Sequence, residues 1–450
     1  MRVLFVQPPH DPNSFAHKSG LAEPLVYEIL ASTIPHHDTR IFDMRIGEAS
    51  LEEEIETYSP NVIGVGCVTA GYRECVRVLK RIKTINSSII TIVGGHHPTV
   101  MPQDFSNDFT DFIVLGEGEQ TFRELVDVLE LRGSVSHVKG LVIPNDRNLH
   151  FTGERPLIDI NDIPIPRRDL TEKHRKNYFR GNWRPIVSIV GSRGCSYRCK
   201  FCCQWVLYRG TYRVRSPKNV VSELSQIDEK YIDFIDDNSW ENTRWMEELY
   251  VRIKEAGIRK NYKLYTRSDL VIRRPDLVER WRTIGLRAVL IGFESFRDED
   301  LLTLNKKNTV AKNIEASRIL KENDIDIIGY FLIDPSYTEE DFRSLIDHVR
   351  RLDIEQPIFS VLTPFPGTQL FDEVKERIIT RNYQYFDGMH AVVPSALPAE
   401  EFYRSYKELY RECYPKGKLI KKFLQGKIRF TLPQALAQKR YLKNLGPAEP

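Results

Sequence analysis

Three cysteines stand in one short run, Gly194-Cys195-Ser196-Tyr197-Arg198-Cys199-Lys200-Phe201-Cys202, with three residues inside the first pair and two inside the second. Thiolates are metal ligands, and structural zinc sites and ordinary iron–sulfur sites close with four protein ligands. This run is one ligand short. Three thiolates on one loop can hold a [4Fe–4S] cluster by three corners and leave its fourth iron open to bind and reduce something. A zinc loop completed by a distant His or Cys, or a set of free buried thiols, also fits the spacing. Cys203 follows Cys202 directly. It can be an alternative ligand, a redox partner or a small buried hydrophobe.

Such a loop needs a scaffold, and the composition supplies one. The chain has 450 residues, 41% hydrophobic and 28% charged, which is the balance of a globular protein of two or three domains. Lys+Arg total 65 against 62 Asp+Glu, a net charge of +3, so no bulk attraction to nucleic acid or an anionic membrane is expected. No run approaches the ~20 apolar residues of a membrane span. The opening MRVLFVQPPHDP reads as a first strand broken by Pro8 and Pro9, not as a signal peptide. Seven cysteines, four of them within nine residues, fit a metal site in a reducing cytoplasm rather than a disulfide framework.

Short apolar runs alternate with amphipathic stretches through most of the chain. Val3–Val6, Asn61–Val68, Ile89–Gly95 and Phe112–Gly116 are Val/Ile-rich, with helical patterns at Gly71–Lys83 and Glu119–Arg132 between them. This order predicts a doubly wound, Rossmann-like parallel sheet over residues 1–140, with ligands met at the carboxyl ends of its strands. A hairpin and a proline-rich linker, Ile163 to Arg168, occupy 141–184. A second series then starts. Ile186–Val190, Tyr231–Asp237, Lys263–Arg267, Ala288–Glu294, Ile327–Asp334 and Pro357–Thr363 are six strands separated by helical segments. Over 185–395 they predict a partial (β/α)6 barrel of the TIM type, whose working residues lie at the C-terminal strand ends. Residues 396–450 read as a helical cap, and its basic run Lys416 to Arg429 as a solvated helix face. The fold class is α/β.

The cysteine run, with aromatic Phe201 before the last cysteine, resembles the CxxxCxΦC signature of radical SAM enzymes. The resemblance implies that Cys195, Cys199 and Cys202 hold a [4Fe–4S] cluster whose open iron chelates S-adenosylmethionine (SAM). One electron then cleaves a C–S bond and releases a 5′-deoxyadenosyl radical. It further implies that Asp236, Asp237 and Asn238, after the second strand, meet the SAM amino group, although the family often has Gly-Gly-Glu there. Capping of the next helix also explains these three residues. Arg267 can grip the SAM carboxylate or an acidic substrate group, or form a structural pair with Asp269, itself a candidate catalytic or substrate residue along with Cys203. Glu294 resembles positions that contact the SAM ribose or substrate hydroxyls, and Phe201 and Trp205 are placed to pack on adenine. Thr363-Pro364-Phe365-Pro366-Gly367-Thr368 resembles a loop near SAM, and its turn chemistry alone also accounts for it.

A second resemblance lies in the first 140 residues, to the cobalamin-binding domain that precedes the barrel in one radical SAM branch. Thr69, Gly71, Gly94, Gly95, His97, Gly116, Glu117 and Gly118 are the implied cobalamin contacts, the glycines letting backbone approach the corrin. The Asp-x-His-x-x-Gly motif that carries an axial histidine is absent, and His10, His17, His96 and His97 do not reproduce it. That branch commonly lacks the histidine too. A domain that kept this fold and lost the corrin is the alternative.

Together the resemblances imply a cobalamin-dependent C-methyltransferase acting on a small molecule in a biosynthetic pathway. An external flavodoxin- or ferredoxin-type donor, or a dedicated reductase, would supply its electrons. The alternative is a cobalamin-independent radical SAM dehydratase, dehydrogenase or epimerase of a polyol such as an aminoglycoside, with Asp236, Asp237, Asp269 and Glu294 handling hydroxyls and protons. A non-catalytic iron–sulfur binding protein is the third class.

Overall fold

A computed structural model describes residues 1–10, 20–145, 148–354, 356–414 and 445–448. The chain divides into two units, Met1–His17 with Glu23–Asn177, and Lys18–Ala22 with Tyr178–Pro450.

The first unit is built on β1 (Arg2–Gln7), β3 (Asp38–Asp43), β4 (Val62–Gly66), β5 (Ile90–Gly94) and β6 (Phe112–Val114), all parallel, in the order β3-β1-β4-β5-β6. Antiparallel β7 (Leu141–Asn145) and β8 (Asn148–Phe151) extend that sheet past β6. Both faces are covered. Leu4 and Val6 of β1 point into a core with Leu51, Ile55, Val78 and Leu79. Val3 and Phe5 point into the opposite core with Tyr27, Phe122 and Leu125. This is the doubly wound arrangement, with its switch point beside β1, where neighbouring connections leave in opposite directions. One strand departs from the expected pattern. β3, Asp-Thr-Arg-Ile-Phe-Asp, lies at the sheet edge and alternates instead of running apolar, with Thr39, Ile41 and Asp43 buried. An edge strand covered on one face carries a period of two, which a search for continuous apolar runs passes over.

In the second unit, β10 (Ile186–Ile189), β13 (Tyr231–Phe234), β14 (Asn261–Thr266), β15 (Leu286–Glu294), β16 (Asp326–Ile333) and β17 (Gln356–Val361) form one parallel sheet in sequential order. These are the six expected strands, each within a few residues of its anticipated limits. The order is sequential and parallel, with β10 and β17 at the two ends of the sheet. Alternation within β16 buries Ile327, Gly329, Phe331 and Ile333 under helices, while Ile328, Tyr330 and Leu332 on the other face stay half-exposed. Two short ribbons complete the unit, β2 (Gly20–Leu21) with β9 (Phe179–Arg180), and β11 (Ser192–Gly194) with β12 (Tyr212–Val214). Helix Ala399–Cys413 packs Tyr406 and Tyr410 so that both hydroxyls donate to the Phe359 carbonyl of β17. The basic run Lys416 to Arg429 and His17 lie outside the described residues. No helix among the described residues is long and apolar enough to cross a membrane.

His348, on helix Glu339–Leu352, is buried edge-on to Phe331 with no partner for Nε2 among the described residues. Burial first, and Arg351 second, push its pKa down to about 4. The folded state therefore prefers the neutral ring. Below the ordinary histidine value the unfolded chain takes up a proton that the folded chain refuses, so stability falls as the pH drops from 6.5 towards 4. Between those limits His348→Leu should gain on the wild type by up to about 3 kcal/mol. Thermal unfolding of both proteins across that range measures it, and parallel pH profiles would contradict it.

Candidate functional site

The cysteine loop leaves the carboxyl end of β10 through β11, whose antiparallel partner β12 closes it, with Gly194 opposite Tyr212. Gly194 has φ +88°, and a side chain there would run into the Thr211 carbonyl, so glycine is required at the loop's mouth. Within the loop the Cys202 N–H donates to the Cys199 carbonyl at 3.1 Å, and the Trp205 indole N–H donates to the same oxygen at 2.9 Å. Cys199 is buried, while Cys195, Cys202 and Cys203 are half-buried, and all four are free thiols. Burial pushes the Cys195 thiol up to about 12 and the Cys203 thiol to about 11, and raises Cys202 as well.

The loop after β13 fastens this run. Asp236 Oδ1 accepts from the Gly191 N–H at 2.7 Å, and Asp237 Oδ2 from the Gly194 N–H at 2.7 Å. Burial lifts the Asp236 carboxyl to about 7 and the Asp237 carboxyl to about 6. Glu241 accepts from the Ser196 N–H at 3.1 Å and from Asn238 Nδ2 at 3.0 Å. Asn238 Nδ2 also lies 4.0 Å from Cys195 Sγ, while Asn238 Oδ1 and the Ser239 hydroxyl are buried without a partner among the described residues.

On the far side of the cysteines, Arg267 follows β14. Its Nε donates to Asp269 Oδ1 at 3.0 Å, its Nη1 lies 4.0 Å from Cys199 Sγ, and its Nη2 donates to the Lys306 carbonyl at 2.5 Å. The guanidinium carbon stands 3.5 Å from the centre of the Tyr197 ring, and the Tyr197 hydroxyl donates to Asp269 Oδ2 at 2.7 Å. So Asp269 is engaged by both of its neighbours.

Glu294 ends β15 with φ +64°, at a register shift in the pairing with β16. Left-handed backbone outside glycine costs on the order of 1 kcal/mol and is held only where the surroundings require it. Here they do. The carboxylate folds back over Gly292 and accepts from Lys306 Nζ at 2.6 Å, with both residues buried. A side chain on Gly292 would strike the Glu294 carboxylate and lie 2.8 Å from Lys306 Nζ. Asn305 and Lys307, on either side of Lys306, also have positive φ, at 53° and 52°. That segment meets the cysteine loop, with the Lys200 N–H donating to the Leu304 carbonyl at 3.0 Å and Asn305 Nδ2 to the Arg198 carbonyl at 2.7 Å.

In Thr363–Thr368 the polar groups close the turn itself. Thr368 Oγ1 donates to the Phe365 carbonyl and caps the helix that follows. Phe201 is half-buried in the loop.

In the first unit, the loops after β4, β5 and β6 are tied together at the carboxyl edge of the sheet. Gly95 has φ +107°, and the position of its absent Cβ lies 2.8 Å from the Cys67 carbonyl, so the close approach there is between two loops. Gly94 is the last residue of β5, and Gly71 and Gly118 stand at helix starts. The Gly116 N–H donates to Thr99 Oγ1 at 2.9 Å. His97 is fully buried, with Nδ1 3.3 Å from Thr69 Oγ1 and Nε2 3.1 Å from Asp104 Oδ2. Glu117 Oε2 accepts from the Ile158 N–H at 3.0 Å. Thr69, His97 and Glu117 therefore brace the loops from within. Val68 is 62% exposed, and a Cβ on Gly116 would meet nothing within 4 Å.

The family model described as the B12 binding domain matches residues 19–126, and that of the Radical SAM superfamily matches residues 189–349. The hopanoid C-3 methylase of Methylococcus capsulatus is 31% identical over 432 residues, covering 92% of this chain and 81% of that protein. The chain belongs to the radical SAM superfamily, in the branch with a B12-binding domain. The anaerobic magnesium-protoporphyrin IX monomethyl ester cyclase of Rubrivivax gelatinosus is 26% identical over 98% of this chain and 84% of its own length. Among solved structures, the radical SAM methyltransferase TsrM of Kitasatospora setae, with cobalamin and a [4Fe-4S] cluster bound, shares the fold. Its TM-score is 0.72 at 16% identity, over 92% of this chain and 91% of that one.

The B12-binding and Radical SAM family models support cobalamin, SAM and a [4Fe–4S] cluster as the protein's cofactors. The residues present fit these groups. No set of three His, Cys, Asp or Glu among the described residues converges on one ion, and a cluster does not ask for that, because each thiolate binds a different iron. Coordination would also deprotonate thiols that burial alone keeps protonated. Asn238, whose Nδ2 lies 4.0 Å from Cys195 Sγ, has a buried Oδ1 with no donor among the described residues, which an ammonium group would satisfy. Exposed Val68 and the open space at Gly116 leave room for a bound group at the carboxyl edge of the sheet.

Tyr197, Glu241 and Lys306 went unnoticed in the sequence. Tyr197 sits inside the cysteine spacing, where any residue fits the motif. Glu241 lies one turn past the Asp236–Asn238 cluster. Lys306 belongs to Asn305-Lys306-Lys307-Asn308, which has the composition of a solvated turn.

Two outcomes follow. Ala in place of Cys195, Cys199 or Cys202 should abolish the brown chromophore and the bound iron after anaerobic reconstitution, whereas Cys203→Ala should keep both. Iron and sulfide analysis decides, and loss of iron in Cys203→Ala would make it a ligand. Gly292→Ala should destabilise the second unit by about 1–3 kcal/mol through overpacking and weaken SAM binding while retaining iron. Wild-type thermal unfolding and SAM affinity would show that Glu294 has room to move.

Proposed function

We propose that this protein is a cobalamin-dependent C-methyltransferase that places a methyl group on an unactivated carbon of a small molecule. The observation that carries the reading is a methylase likeness running through both units, over 92% of this chain. When bound, the cluster with SAM supplies a radical able to take hydrogen from an unactivated C–H bond, and the corrin supplies the methyl group.

The chain's own residues bind and orient. Cys195, Cys199 and Cys202 would hold the cluster, and Asn238 Oδ1 would accept from the SAM ammonium. Asp236 and Asp237 keep the loop's entry fixed through the Gly191 and Gly194 amides. Glu294, held by Lys306, would present its second oxygen to a hydroxyl of SAM or substrate. Trp205, Tyr197 and the Leu304–Asn308 segment pack around the cysteines and limit water there. A low-potential one-electron donor of the flavodoxin or ferredoxin type, or a dedicated reductase, completes the system. The alternative, acid–base chemistry on a polyol, needs free carboxylates. Asp269 has both oxygens engaged inside the protein, by Arg267 and Tyr197, and is not available for it.

The anaerobically purified, reconstituted protein incubated with hydroxocobalamin should retain close to one corrin per chain after desalting. With methyl-deuterated SAM and a reductant, candidate acceptors should gain the label. Corrin retention without label in any acceptor, alongside steady 5′-deoxyadenosine formation, would sink the methyl-transfer reading.

A further inference from the structure

We infer that Arg267 acts on the cluster rather than on SAM: its guanidinium, fixed against Cys199 Sγ, sets how readily a cluster held by the three cysteines takes up an electron. The geometry leaves Arg267 little else to do. A guanidinium grips a carboxylate through two parallel N–H groups. Here Nε is taken by Asp269, and Nη2 serves the Lys306 carbonyl at 2.5 Å and the Lys307 carbonyl at 3.4 Å. With Nε and both N–H groups of Nη2 engaged, neither edge of the fork offers a parallel pair. What remains is Nη1, 4.0 Å from Cys199 Sγ, in a residue only 5% exposed. Tyr197 stacks on one face of the plane at 3.5 Å and is itself held by Asp269, so the group cannot swing away. Asn238 Nδ2, 4.0 Å from Cys195 Sγ, carries no charge, and neither do the backbone N–H groups of Tyr197 and Gln204 that serve Cys195 and Cys202.

The physical consequence has a sign. On reduction the cluster gains one electron from the donor and no proton, so its negative charge grows. A cation and N–H donor fixed at a ligating sulfur stabilise the charge-rich state and raise the potential. Burial strengthens the effect, since few water dipoles compete.

The test is an EPR-monitored redox titration of the reconstituted protein with dithionite, without SAM, corrin or substrate. SAM affinity is measured separately by equilibrium dialysis. Arg267→Gln should lower the reduced-to-oxidised ratio at fixed potential at least tenfold, a midpoint ~59 mV more negative, with SAM affinity changed less than threefold. Arg267→Lys, which keeps the charge but not the planar group, should fall between that variant and the wild type. Should Arg267→Gln fail to hold iron, Arg267→Lys and Tyr197→Phe carry the test, each expected to shift the midpoint the same way by a smaller amount. A wild-type midpoint with SAM affinity weakened tenfold or more would overturn the inference and make Arg267 a SAM ligand. Wild-type values of both quantities would overturn it too. Because neither corrin nor methyl acceptor is present, failure here leaves the methyltransferase reading untouched.

Discussion

The structure of the second unit turns on how an irregular loop of buried thiols is held. Between β11 and helix Gln204–Leu207 the cysteines have no regular backbone to fix them. Their positions come from outside. Asp236 and Asp237 bind the amides of Gly191 and Gly194 at the entry, Glu241 binds the amide of Ser196, and Arg267 braces Cys199. Each group sits at the carboxyl end of a neighbouring strand or in the loop just beyond it. The sequential parallel sheet is therefore what brings them to one place. A fault in strand register would move the carboxylates away from the amides and leave both sets buried and unsatisfied, a costly outcome.

The same region concentrates backbone strain. Glu294, Asn305 and Lys307 all hold left-handed conformations within reach of the cysteine loop. Their shared effect is to bring one buried ion pair, Glu294 with Lys306, beside the loop, and Gly292 provides the space. Buried pairs contribute little net stability because desolvation opposes their attraction. Retaining one in strained backbone at strand ends is better explained by positioning than by stability. In the first unit the loops are tied by side-chain hydrogen bonds, Thr69 with His97 and Thr99 with Gly116. The two units thus meet different demands: one fixes charged groups around thiols, the other ties the strand-end loops of its sheet to one another.

How much of this could be read from the chain depended on distance along it. The cysteine spacing is local chemistry, as are the strand runs of the second unit and the Asp236–Asn238 cluster that ends β13. Edge strand β3 escaped because one-sided burial replaces the continuous apolar run with alternation. His97 stood out as a polar residue in a Gly-rich loop, yet its ring turns inward to Thr69 and Asp104, which no local pattern reveals.

By itself the sequence determined the spacing of Cys195, Cys199 and Cys202, the two α/β units and the polar strand ends, because each follows from residue type and short-range period. Only the tertiary structure decided what those polar groups face. Arg267 is 68 residues from Cys199, and Asp237 is 43 from Gly194. Whether a guanidinium meets a sulfur or a ligand, and whether a carboxylate meets an amide or an ammonium, depends on the strand order that folds those separations into contact. Lys306 shows the limit most plainly. In sequence it is one cation among polar neighbours, and it becomes part of the site because three left-handed residues and one glycine turn it inward.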